Sequence, residues 1–154
     1  MVLAFNFRGT MRSDGTHGAG RTEGRDVAGA IARVRRESDR PTVVCGWSFG
    51  AVVALREALD DDRVAALALI GYPLRHGLEL PEAPSASELR AFRRPVLLLS
   101  GEHDDYSPPD LLAELAGRLP QAEMATVPGT NHHLWRHERE AAEMIGAFAE
   151  RAAG

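Results

Sequence analysis

Ser48 stands between two glycines in Gly46-Trp47-Ser48-Phe49-Gly50. The pentapeptide follows an apolar, β-branched run (Pro41-Thr42-Val43-Val44-Cys45) and opens a helical pattern of Ala51, Val52, Val53, Leu55, Ala58 and Leu59. Gly-x-Ser-x-Gly at a strand-to-helix junction makes a tight turn that lifts the hydroxyl above the sheet edge in a strained backbone conformation. Side chains at positions 46 and 50 are expected to collide with strand and helix, which calls for glycine at both. A serine hydroxyl is a poor nucleophile at neutral pH and needs a base, usually histidine, oriented by a carboxylate. Candidate acids follow in Gly101-Glu102-His103-Asp104-Asp105, and candidate bases in Pro128-Gly129-Thr130-Asn131-His132-His133. Together such groups perform acyl transfer through an activated alcohol. The bland alternative is a plain tight turn with a surface serine, and the strand and helix around it argue against that.

Five apolar runs alternate with helical patterns, which predicts a parallel α/β sheet. The expected strands are residues 2–7, 42–45, 64–70, 95–100 and 122–127; the expected helices are 22–38, 51–59, 111–119 and 134–152, with a short one at 87–92. The strand runs are short and nearly continuous, as in strands covered on both faces. Residues 74–92 are irregular and punctuated by Pro81 and Pro84, too short a connection for a full helical lid, so an open site is expected. No repeat or linker divides the chain, so residues 1–154 are read as one domain.

Sites in open parallel sheets form beyond the carboxyl ends of the strands. Ser48, the acidic segment 101–105 and the segment 128–133 all fall there. Asp104 sits at such a strand end, with Glu102 and Asp105 as neighbouring rivals; His133 is the rival of His132. His133 and His137 are spaced i, i+4 and could ligate a metal, but no Glu completes a His-Glu-x-x-His arrangement and no cysteine pair exists, so no metal is expected. His17 and His76 are expected to be solvated loop residues. Trp47 and Trp135 are expected to pack or to line a pocket.

Composition narrows the class. Apolar residues make up 44% and charged residues 26% of 154, an ordinary globular balance. The net charge of −4, with no basic stripe, argues against nucleic acid. No apolar run reaches the ~18 residues of a membrane span, and the first residues lack the features of a signal peptide. One cysteine, Cys45, rules out an internal disulfide and fits a cytoplasmic location; its strand setting suggests an inert core thiol.

The chain resembles the α/β-hydrolase superfamily, most of all small bacterial hydrolases related to dienelactone hydrolases and serine peptidase-like esterases. The residues that carry the likeness are Phe5-Asn6-Phe7-Arg8-Gly9 with Arg12-Ser13-Asp14-Gly15, then Gly46-Trp47-Ser48-Phe49-Gly50, Leu98-Leu99-Ser100-Gly101-Glu102-His103-Asp104, and the Pro128-to-His132 segment. The order Ser…Asp…His is that of these enzymes. The resemblance implies Ser48 as nucleophile, Asp104 as orienting acid, His132 as general base and the Phe49 backbone N–H as one oxyanion-hole donor. It implies a small-molecule acyl substrate cleaved as ester, thioester or small amide, without a cofactor. A binding module with impaired catalysis is the alternative.

Two departures from the family carry expectations. Met11 replaces a glycine of the loop after Arg8-Gly9, so the route through residues 8–15 is expected to differ. Strands that precede the counterpart of residues 2–7 in the family have no match here, and with them goes a loop that supplies the second oxyanion donor. Losing one donor costs about 2.7–4 kcal/mol of transition-state stabilisation, so weakened activity is expected. The shortening itself suggests an incomplete gene product or a start site placed too late. Residues 2–7 are then expected to pair directly with 42–45, giving a five-stranded sheet in sequential order within an αβα sandwich. The helices 22–38, 51–59 and 111–119 would cover one face. The terminal helix would lie alone on the other, leaving apolar surface for a homodimer contact.

Overall fold

The computed structural model describes residues 1–75 and 80–154; His76 and part of the 74–92 connection lie outside the described residues. The elements run α1 (Gly24–Glu37), β1 (Thr42–Trp47), α2 (Phe49–Asp60), β2 (Val64–Ile70), α3 (Ala86–Ala91), β3 (Val96–Gly101), α4 (Pro109–Ala116), β4 (Ala122–Val127) and α5 (Glu138–Ala153). All four strands are parallel, in the order β1-β2-β3-β4.

Alternation of side chains across each strand feeds two cores. Leu67 and Leu69 of β2 and Val96 and Leu98 of β3 pack with Val27 and Ile31 of α1, the buried face of α2, Leu89 of α3 and Leu112 of α4. Ala66, Ala68, Ile70, Leu97 and Leu99 point the other way, against Ala141 and Phe148 of α5. Strands apolar at every position are the expected answer to cover on both faces. Each of the fully buried leucines contributes about 1.5–3 kcal/mol relative to exposure. Helices α1, α2 and α4 thus share one face and α5 holds the other, as the sequence predicted. Over β2 and β3 that single helix suffices: Ala66, Ala68, Leu97 and Leu99 are all buried beneath it. On the edge strand β1 the same face is less covered: Cys45 and Trp47, in register with Ala68 and Ile70, are exposed.

The sheet has four strands rather than five. Residues 2–7 enter no ladder, and β1 is an edge strand. Arg8 donates to the carboxylate of Asp26 through its backbone N–H (3.0 Å) and its guanidinium (2.6–3.1 Å). Phe7 meets the Phe49 ring edge-on at 5.6 Å. These two anchors draw the segment onto α1 and the start of α2, where Leu3 and Phe5 border a shallow groove with Gly29 and Ala30. A charge-assisted, multiply bonded pair and an aromatic contact hold it there. Val2 and Met11 are almost fully exposed.

Other boundaries moved for local reasons. The short helix α3 starts at a capping box, in which the Ser85 hydroxyl accepts from the Glu88 N–H and the Glu88 carboxylate accepts from the Ser85 N–H. The terminal helix begins at Glu138 rather than 134, because Leu134 and Arg136 adopt positive φ (55° and 69°). The Arg94 guanidinium donates to the buried carbonyls of Ala58 and Asp61 at the C-terminal end of α2 and of Val64 at the start of β2. No helix among the described residues is long and apolar enough to cross a membrane.

Candidate active site

Ser48 lies between β1 and α2 with φ 53° and ψ −118°, a sparsely populated backbone region for a residue with a side chain. Its N–H donates to the Ile70 carbonyl at 2.8 Å and its carbonyl accepts from Ala51, so the neighbouring strand and the first helical turn enforce the strain. Gly46 is required by space: a Cβ there would stand 2.3 Å from the Gly50 carbonyl oxygen. Gly50 is not. A Cβ at Gly50 would meet only the Phe7 ring at 3.6 Å, an ordinary contact, so the expected need for glycine at both positions holds at one. Strand β1 has no outer neighbour to crowd position 50.

Three loops at the carboxyl edge converge on Ser48. His132 Nε2 stands 2.9 Å from Ser48 Oγ. The other ring nitrogen, Nδ1, is 3.0 and 2.9 Å from the two carboxylate oxygens of Asp104. Asp104 and His132 are buried, and Ser48 is half-buried. The Asp104 Oδ1 also accepts from the N–H groups of Tyr106 and Ser107, both at 2.9 Å, which fixes the carboxylate plane. Asp105 and Glu102 are exposed, and Glu102 accepts instead from the Gly129 N–H. His133 turns away to stack on Trp135, with ring centroids 4.8 Å apart. His137 pairs with Glu140 at 3.2 Å. Phe49 is the first residue of α2, so its N–H has no acceptor within the helix.

The acidic loop and the histidine loop are laced together. Glu102 N–H donates to the Val127 carbonyl and His103 N–H to the Thr130 carbonyl. Gly101 permits this approach, because a Cβ would lie 2.6 Å from the carbonyl oxygens of Thr130 and Asn131. Trp47, the residue before Ser48, donates its indole N–H to the His132 carbonyl at 3.1 Å. Its ring lies 5.7 Å from the imidazole.

Three contributors were missed in the sequence. Gly71, at the end of β2, has φ 54°, and a Cβ on it would stand 2.9 Å from His132 Cε1 and 3.3 Å from Asp104 Oδ2. Its signal was a glycine directly after an apolar strand at the sheet's carboxyl end. Tyr106 packs against the imidazole at 4.9 Å. Glu23 is fully buried and accepts from Gly20 (2.8 Å), Gly18 and Thr22, shaping the loop that carries His17. Burial pushes its carboxyl up, yet those backbone amides outweigh burial and hold it below the usual range. His17 is exposed, as expected, but its ring tilts over Phe49 at 5.0 Å.

Cys45 corrects a second expectation. It is exposed on the edge strand, not in the core. Its surroundings still desolvate the thiol and push its pKa up, which leaves it unactivated. Tyr72, buried beside Gly71, is pushed up to about 12 by burial. Met11 was expected to alter the route of its loop, and it adopts φ 52°, the left-handed conformation a glycine would take. A depression of about 590 Å³ bordered by Ala19, Arg56, Leu80 and Glu82 includes none of Ser48, Asp104 and His132.

The fold is shared with several solved structures. The chain is similar to an esterase from Pyrococcus furiosus (TM-score 0.81, 19% identity, 99% of this chain and 70% of that one). It is similar to an alpha-beta serine hydrolase homologue from Coxiella burnetii (TM-score 0.74, 24% identity, 91% of this chain and 64% of that one). It is similar also to a serine hydrolase without lid from Xanthomonas campestris (TM-score 0.73, 25% identity, 95% and 64%). The chain thus spans less than two thirds of the length of the last two. The family described as "Alpha/beta hydrolase domain" matches residues 2–153. With nearly every residue inside that match, and a parallel sheet that carries Ser48 on a strained strand-to-helix turn, the chain belongs to the α/β-hydrolase family.

Proposed function

We propose that the chain is a serine hydrolase that cleaves an ester, thioester or small amide through an acyl-enzyme. The reading is supported above all by one observation: a single buried imidazole reaches Ser48 Oγ with Nε2 and the Asp104 carboxylate with Nδ1, each within 3.0 Å. With Asp104 accepting from Nδ1–H, the Nε2 lone pair faces the serine hydroxyl.

The steps follow from that geometry. Oγ attacks the substrate carbonyl carbon as its proton passes to Nε2, and the carbonyl π pair moves onto oxygen. The Phe49 N–H donates to that oxyanion from the positive end of α2. The tetrahedral carbon re-forms its carbonyl by expelling the leaving group, which takes the proton from Nε2. Water then enters the same position, gives a proton to Nε2, and releases the acid while Oγ regains its hydrogen. No external cofactor enters this balance.

The test is a fluorophosphonate probe, which labels an activated serine. The native chain should label, Ser48→Ala should not, and His132→Ala should label about 10²–10⁴-fold more slowly. Persistent labelling of Ser48→Ala would remove Ser48 from the reaction. No labelling of the native chain would favour a binding module with this fold.

A further inference from the structure

The chain has two tryptophans and two tyrosines. Three of these four are exposed: Trp47 (49%) and Tyr106 (43%) border the His132 imidazole, and Trp135 (67%) adjoins them through His133. Tyr106 lies 4.9 Å and Trp47 5.7 Å from the His132 ring; Trp47 continues to His133 at 6.1 Å, and His133 stacks on Trp135. Single exposed aromatics need no explanation, but a contiguous strip beside a candidate base does.

The strip is also held in place. The Trp47 indole is anchored by its bond to the His132 carbonyl. Trp135 lies between two residues at positive φ, Leu134 and Arg136, and Leu134 is itself buried against the α5 core. The backbone is strained on both sides of an exposed tryptophan, and such strain persists where the surroundings impose it, often at ligand clamps. Aromatic rings fixed before a ligand arrives lose little freedom on binding it.

We propose that this strip is a subsite for a planar aromatic ring on the alcohol part of the substrate. The inference rests on the hydrolytic reading above, and the location follows from proton transfer. The leaving oxygen must take its proton from His132 Nε2, so it has to sit within hydrogen-bond reach of that atom. A ring one carbon beyond that oxygen falls among the rings that border the imidazole. Benzyl-type esters are therefore favoured over saturated esters of the same size.

Benzyl acetate and cyclohexylmethyl acetate separate stacking from plain apolarity, because the saturated ester is the more hydrophobic of the two. Both are titrated into Ser48→Ala, which cannot turn them over, with tryptophan fluorescence as the readout. Benzyl acetate should bind about three- to tenfold tighter. The preference should vanish in Ser48→Ala carrying Tyr106→Leu and Trp135→Leu, and survive with Tyr106→Phe and Trp135→Phe. Equal or tighter binding of the saturated ester, or a preference retained by the double leucine variant, would overturn the subsite. Fluorophosphonate labelling of the native chain reports on hydrolysis separately, so loss of the subsite and loss of the hydrolytic reading give different results.

Discussion

A methyl group on Gly71 would stand 2.9 Å from Cε1 of His132 and 3.0 Å from Nδ1, so the end of β2 is the wall against which the imidazole rests. Nothing at position 71 takes part in proton transfer; it supplies clearance. Gly71→Ala should force the ring away from Ser48 Oγ and meet an unfavourable positive φ as well. A displacement near 1 Å in a site of this kind costs about 10²-fold. The expected outcome is a loss of that order in kcat/KM for an ester, with the variant still folded by circular dichroism. Activity within threefold of native would show that the ring has room to spare.

The two elbow glycines should separate. Gly46→Ala places a Cβ 2.3 Å from the Gly50 carbonyl oxygen, so backbone must shift, and a loss of about 3 kcal/mol or more is expected. Gly50→Ala meets only Phe7 and sits in the first turn of α2, where alanine is the better helix former by up to about 1 kcal/mol. Urea denaturation should therefore find Gly50→Ala neutral or stabilised and Gly46→Ala strongly destabilised.

Glu23 should dominate part of the acid response. Its carboxyl is fully buried and held below its ordinary value of 4.5 by backbone amides. A group depressed in the folded state stabilises above its unfolded pKa and loses that contribution as pH falls through the folded one. Native stability should thus decline below about pH 4.5. Asp26 and Asp61, lowered by their hydrogen bonds to Arg8 and Arg63, share that limb. Glu23→Gln should be about 1–3 kcal/mol less stable at pH 7 and lose less on acidification, so the two urea-midpoint curves should converge in acid. Parallel curves would show that Glu23 stays charged or contributes nothing.

Met11 holds a left-handed backbone while 90% exposed. A non-glycine residue there costs about 1–2 kcal/mol, against roughly 0.5–1 kcal/mol of chain entropy that glycine loses on folding. Met11→Gly should be stabilising by up to about 1 kcal/mol, read as a rise in Tm. A fall would mean that the Met11 side chain contributes packing which its exposure hides.

Much of this architecture was legible before any coordinates. The bounds 64–70 and 122–127 are those of β2 and β4, because burial on a strand repeats at short, local intervals, and the expected sequential strand order with right-handed crossovers put α1, α2 and α4 on one face. The Gly46-to-Gly50 turn was legible for the same reason: its strain lies in neighbouring residues. Pairing is not local. Residues 2–7 read as a strand in pattern, but they lie outside the sheet, tied to α1 and α2 by Arg8 on Asp26 and Phe7 on Phe49. Likewise, local order brought 101–105 and 128–133 to one edge, while the turn closed by Asp104 N–H on the Gly101 carbonyl and the loop bonds to Val127 and Thr130 decided that Asp104, not Asp105, meets His132. Gly71 and Tyr106 became visible only then, because clearance and stacking are properties of segments far apart in the chain that share no pattern until the sheet brings them together.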